Sequence, residues 1–123
     1  MMQEIKIPYR VVRLCTGDLA KPSAITYDIE SWLPGQNNGT GEYRETHSIS
    51  NVTDFQARRL NIKYKPKVKG LNLKTNEYVH MLNGTAFAIG RILIAIIENY
   101  QTKNGTIKIP EVLQKYIGID EIK

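Results

Sequence analysis

The 123-residue chain has a single cysteine, Cys15, so no disulfide can close within it. It also lacks the apolar core of a signal peptide, because its first six residues, Met-Met-Gln-Glu-Ile-Lys, already carry charges of both signs. A cytoplasmic location is the expectation from these two absences. There is no low-complexity segment and no internal repeat, which argues against a disordered chain or a solenoid. The most apolar stretch, residues 81–100, is interrupted by Asn83, Arg91 and Glu98, so its continuous apolar run is too short for a bilayer span of roughly 20 apolar residues and no membrane association is expected. His80 has no second histidine or cysteine at ligand spacing, which makes it a poor metal ligand.

What remains is ordinary in bulk. The hydrophobic share is 41% and the charged share 24%, as in a soluble globular protein. The length suits one domain at most, able to bury roughly two thirds of its unfolded surface. A net charge of +5 is a mild hint of polyanion contact.

Local signals give an α+β reading, an antiparallel β-sheet with helices packed on one face. Strands are expected at 7–15, 24–33 and 43–50, the last two joined by the turn-rich segment 34–42. A helix is expected at 54–62, opened by a capping box of Thr53 and Gln56. A basic tract follows at 63–69, kept from helix by Pro66 and Gly70. A strand at 76–82 then leads into a buried helix from near Thr85 to about Tyr100. A short strand at 106–109 and a helix from Pro110 to about Ile117 complete the pattern. Four Asn-x-Thr triplets, at Asn38, Asn51, Asn83 and Asn104, read as turns and caps. In three of them the Asn-Gly pairs at 38, 83 and 104 suit positive φ.

Arg91 calls for an explanation. Its guanidinium cannot lose its charge, and unpaired burial costs several kcal/mol, so it should meet an anion at a cleft rim. A nucleotide phosphate qualifies, and a buried salt bridge to Glu30, Glu45 or Glu98 is the plainer alternative. Glu45 and Ser48 offer hard oxygen donors of the kind that hold Mg²⁺ on ATP phosphates rather than zinc. Strict strand alternation puts residues three apart on opposite faces, so the two reach one ligand only across a twist or bulge. His47 titrates near neutrality, but packing or a weak nucleotide contact is expected of it rather than general-base work. Asn83 and Thr85 suit helix capping, and suit equally the paired hydrogen bonds that recognise a small polar substrate.

The segment "HMLNGTAFAIGR" resembles motif 3 of the class II aminoacyl-tRNA synthetases, and in this form the seryl-tRNA synthetase family. "PYRVVRLCTGDL" at 8–19, "TYDIESWLPGQ" at 26–36, "YRETHSISN" at 43–51 and "DFQARRLNIKY" at 54–64 follow in that family's order. "ENYQ" at 98–101 and "IPEVLQKYIG" at 109–118 match its end. Several unrelated words in one order are a specific signal where one alone is weak. The resemblance implies activation of L-serine by ATP with Mg²⁺ to seryl-adenylate and pyrophosphate, then transfer to tRNA(Ser), in a cytoplasmic homodimer. It assigns Glu45, Thr46, His47 and Ser48 to ATP, with Glu45 and Ser48 on the metal side. Asn83 and Thr85 fall to serine, and Arg91 to the adenine and γ-phosphate, with Arg91 and Glu45 as the catalytic pair.

The same resemblance implies that the chain is the C-terminal portion of a catalytic domain. The N-terminal tRNA-binding arm and motifs 1 and 2 are not in it, and alone it is expected to be inactive. Two other classes stay open. One is a non-catalytic synthetase-like paralogue or regulatory binding module. The other is an RNA-binding domain using Arg58, Arg59 and the lysines at 63, 65, 67 and 69. With Tyr64 as their one interleaved aromatic, a solvated basic connection is the commoner outcome for such a tract.

Overall fold

The structure is a computed structural model, and it describes residues 1–66 and 76–123. Among the described residues are eight strands: β1 (Tyr9–Arg13), β2 (Ile25–Leu33), β3 (Glu42–Thr53), β4 (Lys63–Tyr64), β5 (Glu77–Tyr78), β6 (Met81–Thr85), β7 (Ile107–Lys108) and β8 (Glu121–Ile122). Four helical segments accompany them: α1 (Gln36–Gly39), α2 (Phe55–Leu60), α3 (Ile89–Tyr100) and α4 (Glu111–Ile117). The main sheet runs in the order β1-β2-β3-β6, with two small antiparallel ribbons, β4-β5 and β7-β8. The expected α+β architecture is thus what the chain adopts. Lys67, Lys69 and Gly70 of the anticipated basic tract lie outside the described residues.

The chain divides into two compact units. The first comprises Met1–Val12, Asp28–His47 and Thr85–Lys123. Its core joins Met2, Ile5, Ile7 and Leu33 to Ile92 and Ala95 of α3. The Tyr100 hydroxyl donates to the Ile5 carbonyl at 2.7 Å, which ties the end of α3 to the amino-terminal segment. The second unit comprises Arg13–Tyr27 and Ser48–Gly84. Val52 and Ala57 are fully buried there, and a Thr26–Ser50 hydroxyl pair at 2.8 Å satisfies two buried polar groups.

α3 departs from expectation at its start and in its burial. It begins at Ile89 with Ala88 as N-cap, not near Thr85, because Met81–Thr85 is held as strand. The Ala88 N–H, an orphan at a helix start, is taken by the Thr46 carbonyl at 2.8 Å. The helix is amphipathic rather than buried. Ile92 and Ala95, three residues apart, make its inner stripe, while Ile89 and Leu93 are 66% and 51% exposed.

Three local expectations are corrected. The Thr53–Gln56 capping box does not form: Asp54 is the N-cap of α2, and Thr53, at φ 47°, donates its N–H to Asn51 Oδ1. Asn83-Gly84 is strand rather than turn. A Cβ at Gly84 would be a tight fit, 3.3 Å from both the Ser48 carbonyl and Ile49 Cγ1. β8 has no counterpart in the sequence pattern and pairs Ile107 with Ile122. By contrast, the turn at Asn38-Gly39 has both residues at positive φ, and Pro110 is the N-cap of α4.

Candidate functional site

In the first unit, the site is built where β3 meets the approach to α3. The Arg91 Nη1 donates to the Glu45 carbonyl at 2.6 Å and lies 3.3 Å from the Glu45 carboxylate. Both side chains remain close to half exposed. Arg91 is therefore half exposed rather than enclosed by the apolar side chains around it in sequence. It sits one position before the inward-facing Ile92, at the edge of the helix's inner stripe. Of the three acids weighed as partners, Glu45 is the one engaged. Glu30 pairs with Arg10, and Glu98 accepts from the Gly35 N–H at 2.8 Å and from Gln36 Nε2 at 3.1 Å.

Continuous helix from Thr85 would put Arg91 about 9 Å further along the axis, but residues 85–88 are not helical. Thr85, at the end of β6, is exposed. Its place in a strand removes the helix-cap explanation for its hydroxyl.

Thr46 and His47 are adjacent yet both buried, so the in-out alternation of β3 is interrupted just after Glu45. The Thr46 hydroxyl is fully engaged, 2.8 Å from Ser31 Oγ, 3.1 Å from the Ile29 carbonyl and 3.1 Å from His47 Nδ1. His47 also packs against the Phe87 ring, centroids 4.7 Å apart at 56°. Burial lowers the His47 pKa from its ordinary value. The imidazole thus resists protonation and is packed on Phe87. It borders a cavity of about 260 Å³ lined also by Met1, Met2, Gln3, Tyr9 and Ile29.

Ser48 and Asn83 belong to the second unit. Ser48 is half-buried on β3, and Asn83 is exposed on β6, the strand next to β3 in the sheet. Gly84 sets how closely the two strands pack at this level. The described residues contain no group of three His, Cys, Asp or Glu side chains able to enclose a metal ion. No helix among them is long and apolar enough to cross a membrane.

Sequence reasoning did not find the supports of this site. Ser31 and Phe87 hold Thr46 and His47, and the Ala88 N–H ties the helix start to β3. Phe87 lies within the quoted motif, but its partner could not be known before β3 was placed beside it. On the same unit, Arg10 lies over the Tyr43 ring at 4.7 Å while Tyr43 packs on Trp32 at 4.9 Å.

Known proteins have a similar fold. A crystal structure of seryl-tRNA synthetase from Pyrococcus horikoshii complexed with ATP matches with a TM-score of 0.87 and 50% identity, over 98% of this chain and 25% of that one. The cytoplasmic serine-tRNA ligase from Naegleria fowleri in complex with AMP matches with a TM-score of 0.84 and 48% identity, over 98% of this chain and 27% of that one. Serine–tRNA ligases from Dictyoglomus thermophilum and Fervidobacterium nodosum are 57% and 58% identical across the whole chain. The chain spans about a quarter of the length of these curated relatives, 27% in each case. Residues 1–100 match the family described as tRNA synthetase class II core domain (G, H, P, S and T), and the chain belongs to that family.

Proposed function

We propose that this chain is the C-terminal portion of the catalytic domain of a cytoplasmic, homodimeric serine–tRNA ligase. The remaining length of such an enzyme supplies the tRNA-binding arm and motifs 1 and 2. The reaction is attack of the serine carboxylate on the α-phosphorus of ATP, which forms the mixed anhydride and expels pyrophosphate. Serine then passes to a hydroxyl at the 3′ end of tRNA(Ser), with AMP leaving.

The observation that carries this reading is the double tie between Arg91 and Glu45. A guanidinium fixed by a backbone carbonyl, yet close to half exposed, keeps N–H groups for an anion without paying to organise them. In this role Arg91 meets the adenine and γ-phosphate, and its salt bridge to Glu45 is the device that aims it. The exposed Asn83 and Thr85 on β6 receive the serine. Thr46, with its hydroxyl already committed, supports the nucleotide site through the backbone of β3, and His47 lines it as a neutral packing group.

Mg²⁺ fits the donors present. The described residues offer no closed acidic cage, and an ion that keeps most of its ligands from ATP phosphates and water needs little more than the Glu45 carboxylate from this unit. When bound, it neutralises phosphate charge as pyrophosphate departs.

The test is serine-dependent ATP–pyrophosphate exchange by the complete protein containing this chain. Exchange requiring serine, and abolished by Arg91→Ala in a folded protein, is the expected result. Absence of exchange in the unmodified protein with intact ATP binding overturns it in favour of a non-catalytic binding module.

A further inference from the structure

In the second unit, cations and aromatic rings are paired on α2, β4 and β5. Arg58 and Lys63 both lie over the Tyr78 ring, each 4.8 Å from its centroid. Arg59 stacks on Phe55 at 3.6 Å and donates to the Phe55 carbonyl at 3.1 Å. Arg58, Arg59, Lys63 and Lys65 are all exposed. Among the described residues, the one acid paired with a cation here is Asp54, 2.6 Å from Arg58. Glu77 instead accepts from the Tyr64 hydroxyl at 2.8 Å. Tyr64 itself remains nearly half exposed. The aromatic interleaving that the sequence order seemed to lack is therefore supplied in space, by residues from three different elements.

We infer that this face is a contact surface for RNA phosphates, and specifically for the tRNA that the complete enzyme charges. Two features favour a nucleic acid over another partner. Rings beneath the guanidinium and ammonium groups hold them flat and outward at little further entropic cost, which suits repeated phosphates along a strand. The exposed Tyr64 offers a stacking face for a base. An acidic protein surface would use the charges but not the ring. The contact is sequence-independent in its phosphate part, so it strengthens tRNA binding and does not select the amino acid.

This inference rests on the tRNA-charging function proposed above, and its test separates the two. In the complete protein, the double variant Arg59→Gln, Lys63→Gln spares Asp54–Arg58 and every residue of the nucleotide and serine sites. Binding to a tRNA transcript is measured across a salt series, alongside tRNA-independent pyrophosphate exchange. The variant is expected to bind tRNA about tenfold or more weakly. Its log K against log salt slope should be shallower by roughly 1 to 2, and exchange should be unchanged. Unchanged tRNA affinity and salt slope in a variant with normal exchange overturn the contact surface. Loss of both exchange and tRNA binding, with a lowered melting temperature, marks a folding defect, and single Lys65→Gln and Lys63→Gln variants then decide by the same salt slopes. Absent exchange in the unmodified protein overturns the proposed function itself, and tRNA binding then reports on this face independently.

Discussion

Glu45 holds Arg91 through its carbonyl at 2.6 Å as well as through its carboxylate at 3.3 Å. The backbone bond survives any change of the side chain at position 45, so the two residues are separable by mutation. Arg91→Ala in the complete enzyme should lower serine-dependent pyrophosphate exchange by 10²-fold or more, since a charge-assisted contact to the developing anion is lost. Glu45→Gln should leave Arg91 in place and raise the ATP and Mg²⁺ concentrations that exchange requires instead. Exchange rates at varied ATP and Mg²⁺ check both.

Thr85→Ala should raise the serine KM more than the ATP KM. Thr85 is the last residue of β6 and caps no helix, so the melting temperature should hold. A fall in stability of about 1 kcal/mol, the usual loss for a cap, would place the hydroxyl in a structural role.

His47 resists protonation in the folded protein because burial disfavours its charged form. Below the ordinary histidine value of about 6.5, the unfolded chain takes up a proton that the folded chain refuses. Stability should therefore be fully present above that pH and decline as pH falls through the window beneath it. Thermal melts between pH 5 and 8 should show this slope, and His47→Gln should flatten it.

Gly41 has φ 83°, and a Cβ there would overlap the Trp32 ring. Gly39 shares that φ, but a Cβ on it would meet nothing within 4 Å. Gly39→Ala should cost about 1–2 kcal/mol from backbone strain alone. Gly41→Ala should cost a further 1–3 kcal/mol, roughly, from overpacking against the indole. Denaturant titration of the two variants side by side measures the difference.

Much of this architecture was legible locally. The hairpin partners β2 and β3, the end of α3 at Tyr100, the Pro110 start of α4 and the left-handed turn at Asn38-Gly39 all follow from turn chemistry, helix-stop signals and alternation, which act within a few residues. The quoted words in their fixed order carried the family in the same way.

What sequence could not decide was where residues 85–88 and Arg91 would go. Thr85-Ala-Phe-Ala has the composition of a helix start, and in isolation nothing opposes it. Only the arrival of β3 alongside holds this stretch out of helix, because the Thr46 carbonyl captures the Ala88 N–H and the His47 ring packs on Phe87. The same neighbour decides the fate of Arg91. Charge and hydropathy require it to find an anion or an acceptor, but the choice among Glu30, Glu45 and Glu98 depends on which acids other groups have already claimed. Residue types and order thus determined what chemistry is available, while long-range pairing of backbone groups decided which side chains share a site, since hydrogen-bond partners distant in sequence leave no local pattern.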